Sequence, residues 1–308
     1  MHIYTHPEFI HHDVAEGHPE RPDRLRHLLG HLDREGILDD CQLREPRDLS
    51  DAQILAAHTT GHLEFLRRSE PTDGIVPIDP DTWMGPRSLN AARLAASAVF
   101  SGVDDVLTGT EQRVFCAVRP PGHHAERNKA MGFCCISNAG VATNYLINRY
   151  KYKRIACVDF DVHWGNGNYD VMRDNKNSLY ISTHQYPFYP GGGTEKDKGD
   201  FNNSLNIPLP AGTNSEQYFN AFDRVLERLV EYKPDFLLFS AGFDAHKDDP
   251  LAQFQLNSKD FYEITRRTLS ATNKFTKGKV VSILEGGYDL NALAESANEH
   301  VNALIEFN

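Results

Sequence analysis

The stretch "RIACVDFDVHWGNG", residues 154–167, joins an apolar run to a dense group of polar side chains. Its first nine residues belong to a set of short runs that are apolar on both faces and are bounded by Gly, Pro or polar residues. The other members are "RVFCAV" (113–118), "SLYIST" (178–183), "DFLLFSAG" (235–242) and "KVVSILEGG" (279–287). Strands that lie buried between two layers of helices have this composition.

Segments with helical periodicity lie between and around these runs. Leucines recur at 25, 28, 29 and 32, and an Ala-rich helix is predicted to begin at Ser88. Further helices are predicted from an N-cap at Ser215 and over residues 290–307. Strands that alternate with helices predict one α/β domain over residues 1–308, an open parallel sheet with helices on both faces. The polar stretches 70–86 and 186–204 are predicted to be long loops.

Composition excludes several classes of protein. The formal net charge of −11 argues against a nucleic-acid-binding surface and suits cationic ligands. The N-terminal residues do not resemble a signal peptide, and no apolar stretch is long enough to span a membrane, so we expect a cytoplasmic protein with no membrane partner. The five cysteines have no C-x-x-C spacing, which predicts reduced thiols.

Polar residues with catalytic chemistry follow the carboxyl ends of four predicted strands. His123 and His124 follow the first, Asp244 follows the fourth and Tyr288 the fifth, while "DFDVHWGNG" (159–167) ends the second. Ligands of open α/β sheets bind at this edge. We therefore expect one site that is built from four separate strand ends.

Asp161 and His163 are candidate metal ligands. Alternate residues of a strand share a face, which would place these two about 7 Å apart along the chain, with Asp244 as the third ligand. Three protein ligands with one open position are typical of a catalytic zinc site. A lone D-x-H is more often a turn or cap, and "DAH" (244–246) also resembles a ligand string of the dinuclear arginase-like ureohydrolases. The convergence of four motifs favours the metal site.

The motifs together resemble the zinc-dependent histone deacetylases and their bacterial deacetylase and acetylpolyamine amidohydrolase relatives. The resemblance implies the arginase/deacetylase fold and the removal of acetyl or longer acyl groups from lysine ε-amines by metal-activated water. It spans nearly the whole chain and rests on "GHPERPDRL" (17–25), "RPPGHHA" (119–125), "GFCCISNAGVA" (132–142), "DFDVHWGNG" (159–167), "SAGFDAHKDDPL" (240–251) and "EGGYDL" (285–290).

The resemblance also implies roles for individual residues. Asp161, His163 and Asp244 would bind one catalytic zinc ion, and Tyr288 would donate a hydrogen bond to the substrate carbonyl. His124 would act as general base and then acid with Asn166 as its partner, while His123, oriented by Asp159, would assist electrostatically. Amide hydrolysis requires an activated water, an oxyanion stabiliser and a proton donor for the amine, and these groups supply all three.

Substrate-binding residues and a second ion are implied in the same way. Gly132, Phe133 and Tyr189 would line a narrow tunnel that fits acyl-lysine of a protein or peptide, and a structural potassium ion would bind the backbone carbonyls of residues 159, 161, 163, 182 and 183. Acetylpolyamine enzymes typically carry either an added dimerisation insertion, which is not obvious in this sequence, or an acidic residue near the tunnel mouth, where this chain has Leu251. A small acetylated amine as substrate and a non-catalytic acetyl-lysine binder stay open as alternatives. Trp164 stands where relatives usually carry a second His.

Overall fold

The computed structural model describes residues 1–307, in which eight parallel strands form one sheet. In chain order the strands are β1 (His2–Tyr4), β2 (Gln42–Arg44), β3 (Val76–Asp79), β4 (Thr82–Met84), β5 (Arg113–Cys116), β6 (Ile155–Asp159), β7 (Ser178–Gln185), β8 (Ser204–Leu209), β9 (Phe236–Ala241) and β10 (Val280–Leu284). The order across the sheet is β2-β1-β5-β10-β9-β6-β7-β8, and β3 and β4 form a separate antiparallel hairpin.

Helices flank the sheet in two groups. Helices α4, α5 and α6 pack together on one side, and α1, α9, α8 and α7 pack in that order on the other. The predicted open parallel sheet with helices on both faces is therefore confirmed. The helices are α1 (Asp23–Arg34), α2 (Asp51–Ile54), α3 (Thr60–Ser69), α4 (Ser88–Thr108), α5 (Asn138–Tyr150), α6 (Asn166–Met172), α7 (Ser215–Tyr232), α8 (Ser258–Thr276) and α9 (Leu290–Glu306).

The central strands are buried along their whole length because helices cover both faces. Every residue of β6, β9 and β10 is buried, which explains why these strands are apolar without alternation. Phe160, just beyond β6, is fully buried and packs its ring against Phe239 and Phe243. The core therefore continues to the carboxyl edge of the sheet, directly beneath the loops that follow the strands.

Several local predictions were wrong, among them the end of the fifth predicted strand, which lies at Leu284 and not at residue 287. The N-cap of α7 is Asn214, whose side chain accepts a hydrogen bond from the Gln217 amide in a capping box, and Ser215 is the first helical residue. The second predicted strand ends at Asp159 and not at residue 162. The stretch 70–86 is not a continuous loop, since it contains the β3–β4 hairpin.

Among residues 1–307, none of the helices has the length and apolar character that crossing a membrane would require.

Candidate active site

The loop after β6 is shaped by aspartate side chains that bond to the backbone two residues ahead. The Asp161 amide donates to Asp159 Oδ1 (3.3 Å), and the His163 amide donates to Asp161 Oδ1 (2.9 Å). Asp favours such turns because its short carboxylate reaches its own backbone. The expected reason for the pairing of Asp161 and His163 was therefore wrong: consecutive turns, rather than the faces of a strand, bring them together.

Asp161, His163 and Asp244 converge on one point. His163 Nδ1 lies 3.1 Å from Asp161 Oδ1 and 3.0 Å from Asp244 Oδ2, and one donor atom from each residue lies within 4.8 Å of the others. All three side chains are buried. Burial lowers the pKa of His163, but its bonds to the two carboxylates outweigh that effect and raise the pKa to about 10. This point in the protein therefore favours positive charge.

The carboxylates are packed closely by glycine backbone. A Cβ atom at Gly242 would lie 2.0 Å from Asp161 Oδ2, and one at Gly286 would lie 2.3 Å from Asp244 Oδ2. The Gly286 amide also donates to Asp161 Oδ2 (2.9 Å). Two carboxylates and one imidazole, held rigidly and out of water, are a donor set that fits Zn²⁺.

His124 and Asn166 form a hydrogen-bonded pair beside this cluster. His124 Nδ1 lies 2.7 Å from Asn166 Oδ1, while Asn166 Nδ2 donates to Glu126 Oε1 (2.8 Å). Because the amide oxygen can only accept, Nδ1 carries the proton and Nε2 keeps a free lone pair. Burial, followed by the positive charges of His123 and His163, holds the pKa of His124 well below its usual value. His124 is therefore a neutral imidazole with a free lone pair on Nε2.

His123 has the opposite electrostatic environment. Its Nδ1 lies 3.3 Å from Asp159 Oδ2, and the same carboxylate accepts a hydrogen bond from the Tyr180 hydroxyl (2.9 Å). Burial favours neutral His123, yet the charges of Asp161 and Asp159 outweigh it and hold the pKa of His123 well above its usual value. The adjacent histidines thus differ in charge because two carboxylates outweigh burial at His123, whereas two positively charged imidazoles add to the effect of burial at His124.

Glu285 is a site residue for which the sequence analysis predicts no role. Its Oε2 accepts hydrogen bonds from the amides of Gly122 (2.7 Å) and His123 (3.1 Å), and its Oε1 accepts one from Ser240 Oγ (2.7 Å). Burial is the main reason why its pKa rises to about 7. Glu285 therefore fixes the loop that carries both histidines. A charged residue directly after a buried strand is the signal by which the sequence could have pointed to Glu285.

A cavity of about 220 Å³ leads to the cluster. Phe133 and Tyr288 meet edge to face across it, with ring centroids 5.7 Å apart. The structure brings together all four predicted substrate-binding residues here and adds two that sequence reasoning missed, Asp81 and Phe188. The lining comprises Asp81, His124, Gly132, Phe133, His163, Phe188, Tyr189, Leu251 and Tyr288.

Gly132 and Phe133 shape the cavity through their backbone. Both have positive φ (57° and 68°), and a Cβ atom at Gly132 would lie 2.4 Å from His124 Cδ2, so only glycine allows the backbone to approach the imidazole. Asp81 Oδ1 accepts a hydrogen bond from the Gly132 amide (3.0 Å), which ties the β3–β4 hairpin to this turn. The hairpin thus forms part of the cavity mouth.

Comparison with known proteins gives a consistent result. The sequence model of the family described as "Histone deacetylase domain" matches residues 18–304. A "Probable deacetylase" of Archaeoglobus fulgidus is 34% identical over 96% of this chain and 83% of its own length. The "Histone deacetylase-like amidohydrolase" of Pseudomonas aeruginosa is 35% identical over 89% of this chain and 73% of its own length. The crystal structure of the HDA15 HD domain superimposes with a TM-score of 0.92 at 33% identity, covering 99% of this chain and 91% of that one.

Proposed function

Since the chain belongs to the histone deacetylase family, we propose that it removes acetyl or longer acyl groups from the ε-amine of lysine side chains. Residues 1 to 308 would act as one catalytic domain, and the cytoplasm remains the compartment that we predict. The observation that carries the proposal is the convergence of three metal donors and a neutral histidine at the inner end of one narrow cavity.

Asp161, His163 and Asp244 would hold a single zinc ion. The bound ion would supply Lewis-acid polarisation of the acyl carbonyl and an acidified water. The donor set supports one ion: among residues 1–307 these three form the one cluster of metal-binding side chains, whereas an arginase-like hydrolase would need further Asp and His ligands for a second ion.

His124 would move the protons. Its Nε2 lone pair accepts a proton from the attacking water, and the same nitrogen later gives that proton to the departing amine. Asn166 keeps the Nδ1 proton in place throughout, because its oxygen can only accept. His123, held charged by Asp161 and Asp159, adds positive potential beneath the site. The Tyr288 hydroxyl would donate a hydrogen bond to the oxygen on which negative charge develops.

The cavity supports a slim aliphatic substrate. Phe133 and Tyr189 would flank the methylene chain of the lysine, and Leu251 offers no charge to a polyamine. Acyl-lysine in a protein or peptide is therefore the substrate that we propose. An acetylated small amine is the second candidate, since the chain is 35% identical to a histone deacetylase-like amidohydrolase.

A structural potassium ion is a separate proposal. Its implied ligands are backbone carbonyls at the end of β6 and in β7, where Asp159 and Ser182 are register partners and both are buried with Thr183. The ion would lie beneath the catalytic cluster. Titration of potassium-free protein with K⁺, followed by thermal unfolding, tests it, and a melting temperature that does not depend on K⁺ would contradict it.

Acetate release from an acetyl-lysine peptide by zinc-loaded protein is the test of the proposed reaction. Asp244→Asn should abolish release, whereas Asp248→Asn, four residues away and with an exposed side chain, should not change it. Two manganese ions per chain would favour an arginase-like enzyme instead. Tight peptide binding without any hydrolysis by zinc-loaded protein would favour a non-catalytic binder.

A further inference from the structure

Trp164 occupies a position next to the metal donors without facing them. Its indole is 9% exposed, and Nε1 donates a hydrogen bond to Asn206 Oδ1 (3.0 Å) in β8. Asn206 Nδ2 in turn donates to the backbone oxygen of Asp197 (2.8 Å). These two bonds fix the orientation of the indole plane and connect the loop after β6 to the region beyond β7.

Two of three consecutive glycines, Gly192 and Gly193, lie against this indole. Gly191, Gly192 and Gly193 all have positive φ (88°, 82° and 69°). A Cβ atom at Gly192 would lie 2.5 Å from Trp164 Cζ3, and the three atoms nearest to it all belong to that indole. At Gly193 a Cβ atom would lie 2.6 Å from Trp164 Cγ. At Gly192 and Gly193 the backbone therefore packs directly on the ring and leaves no room for a side chain, whereas Gly191 faces open space.

Residues 187–193, which end with these glycines, carry the aromatic side chains on one side of the cavity. Phe188 stacks on His163 with centroids 5.2 Å apart and planes 19° from parallel, and Tyr189 meets His124 edge to face at 5.2 Å. Within residues 1–307, the backbone from 187 to 193 makes one hydrogen bond to the rest of the chain, from His184 Nε2 to the Gly193 oxygen (2.9 Å). Besides these two ring contacts, the packing of Gly192 and Gly193 on Trp164 is thus a main restraint on this segment.

We propose that Trp164 is a positioning residue that sets the aromatic wall of the substrate cavity by holding Gly192 and Gly193 in place. The inference rests on the proposed function, because the wall matters only if the lysine chain lies against it. Trp164 acts through Phe188 and Tyr189 and touches no reacting group, so its loss should weaken substrate binding more than it slows the chemical step.

A double-mutant cycle of Trp164→Leu and Gly192→Ala tests the contact directly. Each single change should raise KM for an acetyl-lysine peptide roughly tenfold, with kcat within about twofold of the unaltered enzyme. The left-handed φ of residue 192 penalises alanine in either background, so that penalty cancels in the cycle. Since both changes disrupt one contact, the double variant should be no worse than the worse single variant. If the double variant raised KM roughly a hundredfold, which is the product of the two single effects, the proposal would be overturned. A loss of activity confined to kcat would overturn it as well.

Trp164→Phe provides a milder variant in case leucine unfolds the loop. Phenylalanine keeps an aromatic ring beneath the glycines but loses the bond to Asn206, so we expect a KM between those of the unaltered and leucine enzymes. A KM equal to that of the leucine variant would contradict a role that works through ring packing. Thermal melting of each variant should separate a shifted KM from a general loss of stability.

Calorimetry with Tyr288→Phe protein separates this proposal from the proposed function. This variant should bind the acetyl-lysine peptide but cleave it much more slowly, so that binding is measured before hydrolysis, and adding Trp164→Leu should raise the Kd roughly tenfold. An unchanged Kd would overturn the role of Trp164 and leave the deacylase standing. A peptide that does not bind even with Trp164 intact would overturn both.

Discussion

Replacing Asn166 with Asp tests whether His124 is the base. A carboxylate 2.7 Å from His124 Nδ1 would stabilise the imidazolium, and an adjacent opposite charge typically raises a histidine pKa by about 1–3 units. The base must be neutral to accept a proton, so its activity is present above its pKa and is lost as the pH falls through it. The acid limb of kcat/KM should therefore move to higher pH by about 1–3 units.

Glu126 contacts Asn166, so the Asn166→Asp variant is best studied together with a change at Glu126. Its Oε1 accepts a hydrogen bond from Asn166 Nδ2 at 2.8 Å, so an aspartate at 166 would face a second carboxylate and could share a proton with it. Glu126→Gln removes that charge and can donate to the new aspartate. The informative comparison is Asn166→Asp/Glu126→Gln against Glu126→Gln alone.

The assay is the pH dependence of kcat/KM for an acetyl-lysine peptide with zinc-saturated protein, from about pH 5 to pH 10. Bound zinc and the melting temperature are measured for each variant, so that a lost ion or an unfolded chain is recognised. An acid limb that stays in place in a folded, zinc-loaded double variant would refute the assignment of His124 as the group that titrates.

Three further predictions concern the metal site, the cavity mouth and the core. Gly286→Ala places a Cβ atom 2.3 Å from Asp244 Oδ2 and 2.5 Å from Asp161 Oδ2, and should weaken zinc binding roughly 10- to 100-fold in a competition with a chelator; unaltered affinity would contradict the packing argument. Leu251→Glu should raise kcat/KM for acetylspermidine relative to that for an acetyl-lysine peptide by about tenfold, because the new carboxylate would attract the cationic polyamine. An unchanged ratio of the two values would contradict a position of Leu251 at the cavity mouth. Phe160→Ala should cost about 3–5 kcal/mol in urea unfolding, and a loss under about 1 kcal/mol would refute its place in the core.

The position of the site could be predicted because parallel strands bring their carboxyl ends to one edge. Asp161, His163 and Asp244 follow two strands that are neighbours in the sheet, so the order of polar residues after the strands is enough to predict that they lie together. The local geometry could not be predicted in the same way. A strand and a pair of aspartate turns both bring Asp161 near His163, and only the observed end of β6 at Asp159 distinguishes them.

Features that depend on contacts between distant parts of the chain, or on very short strands, could not be predicted because they leave no local pattern in the sequence. β1 and β2 have three residues each, too short for a periodic signal, and the β3–β4 hairpin has only weak alternation. Asp81 enters the site because its carboxylate bonds the Gly132 amide, 51 residues away in sequence. The contact of Trp164 with Gly192 and Gly193 likewise joins segments that have no local pattern in common.

Acetate release from two substrates under identical conditions is the most direct test of the central claim. For zinc-loaded protein, kcat/KM for an acetyl-lysine peptide should exceed that for acetylspermidine, and Tyr288→Phe should reduce both because one oxyanion donor is lost. Cleavage of acetylspermidine with no cleavage of any acyl-lysine peptide would contradict a lysine deacylase, and turnover unchanged by Tyr288→Phe would contradict the site.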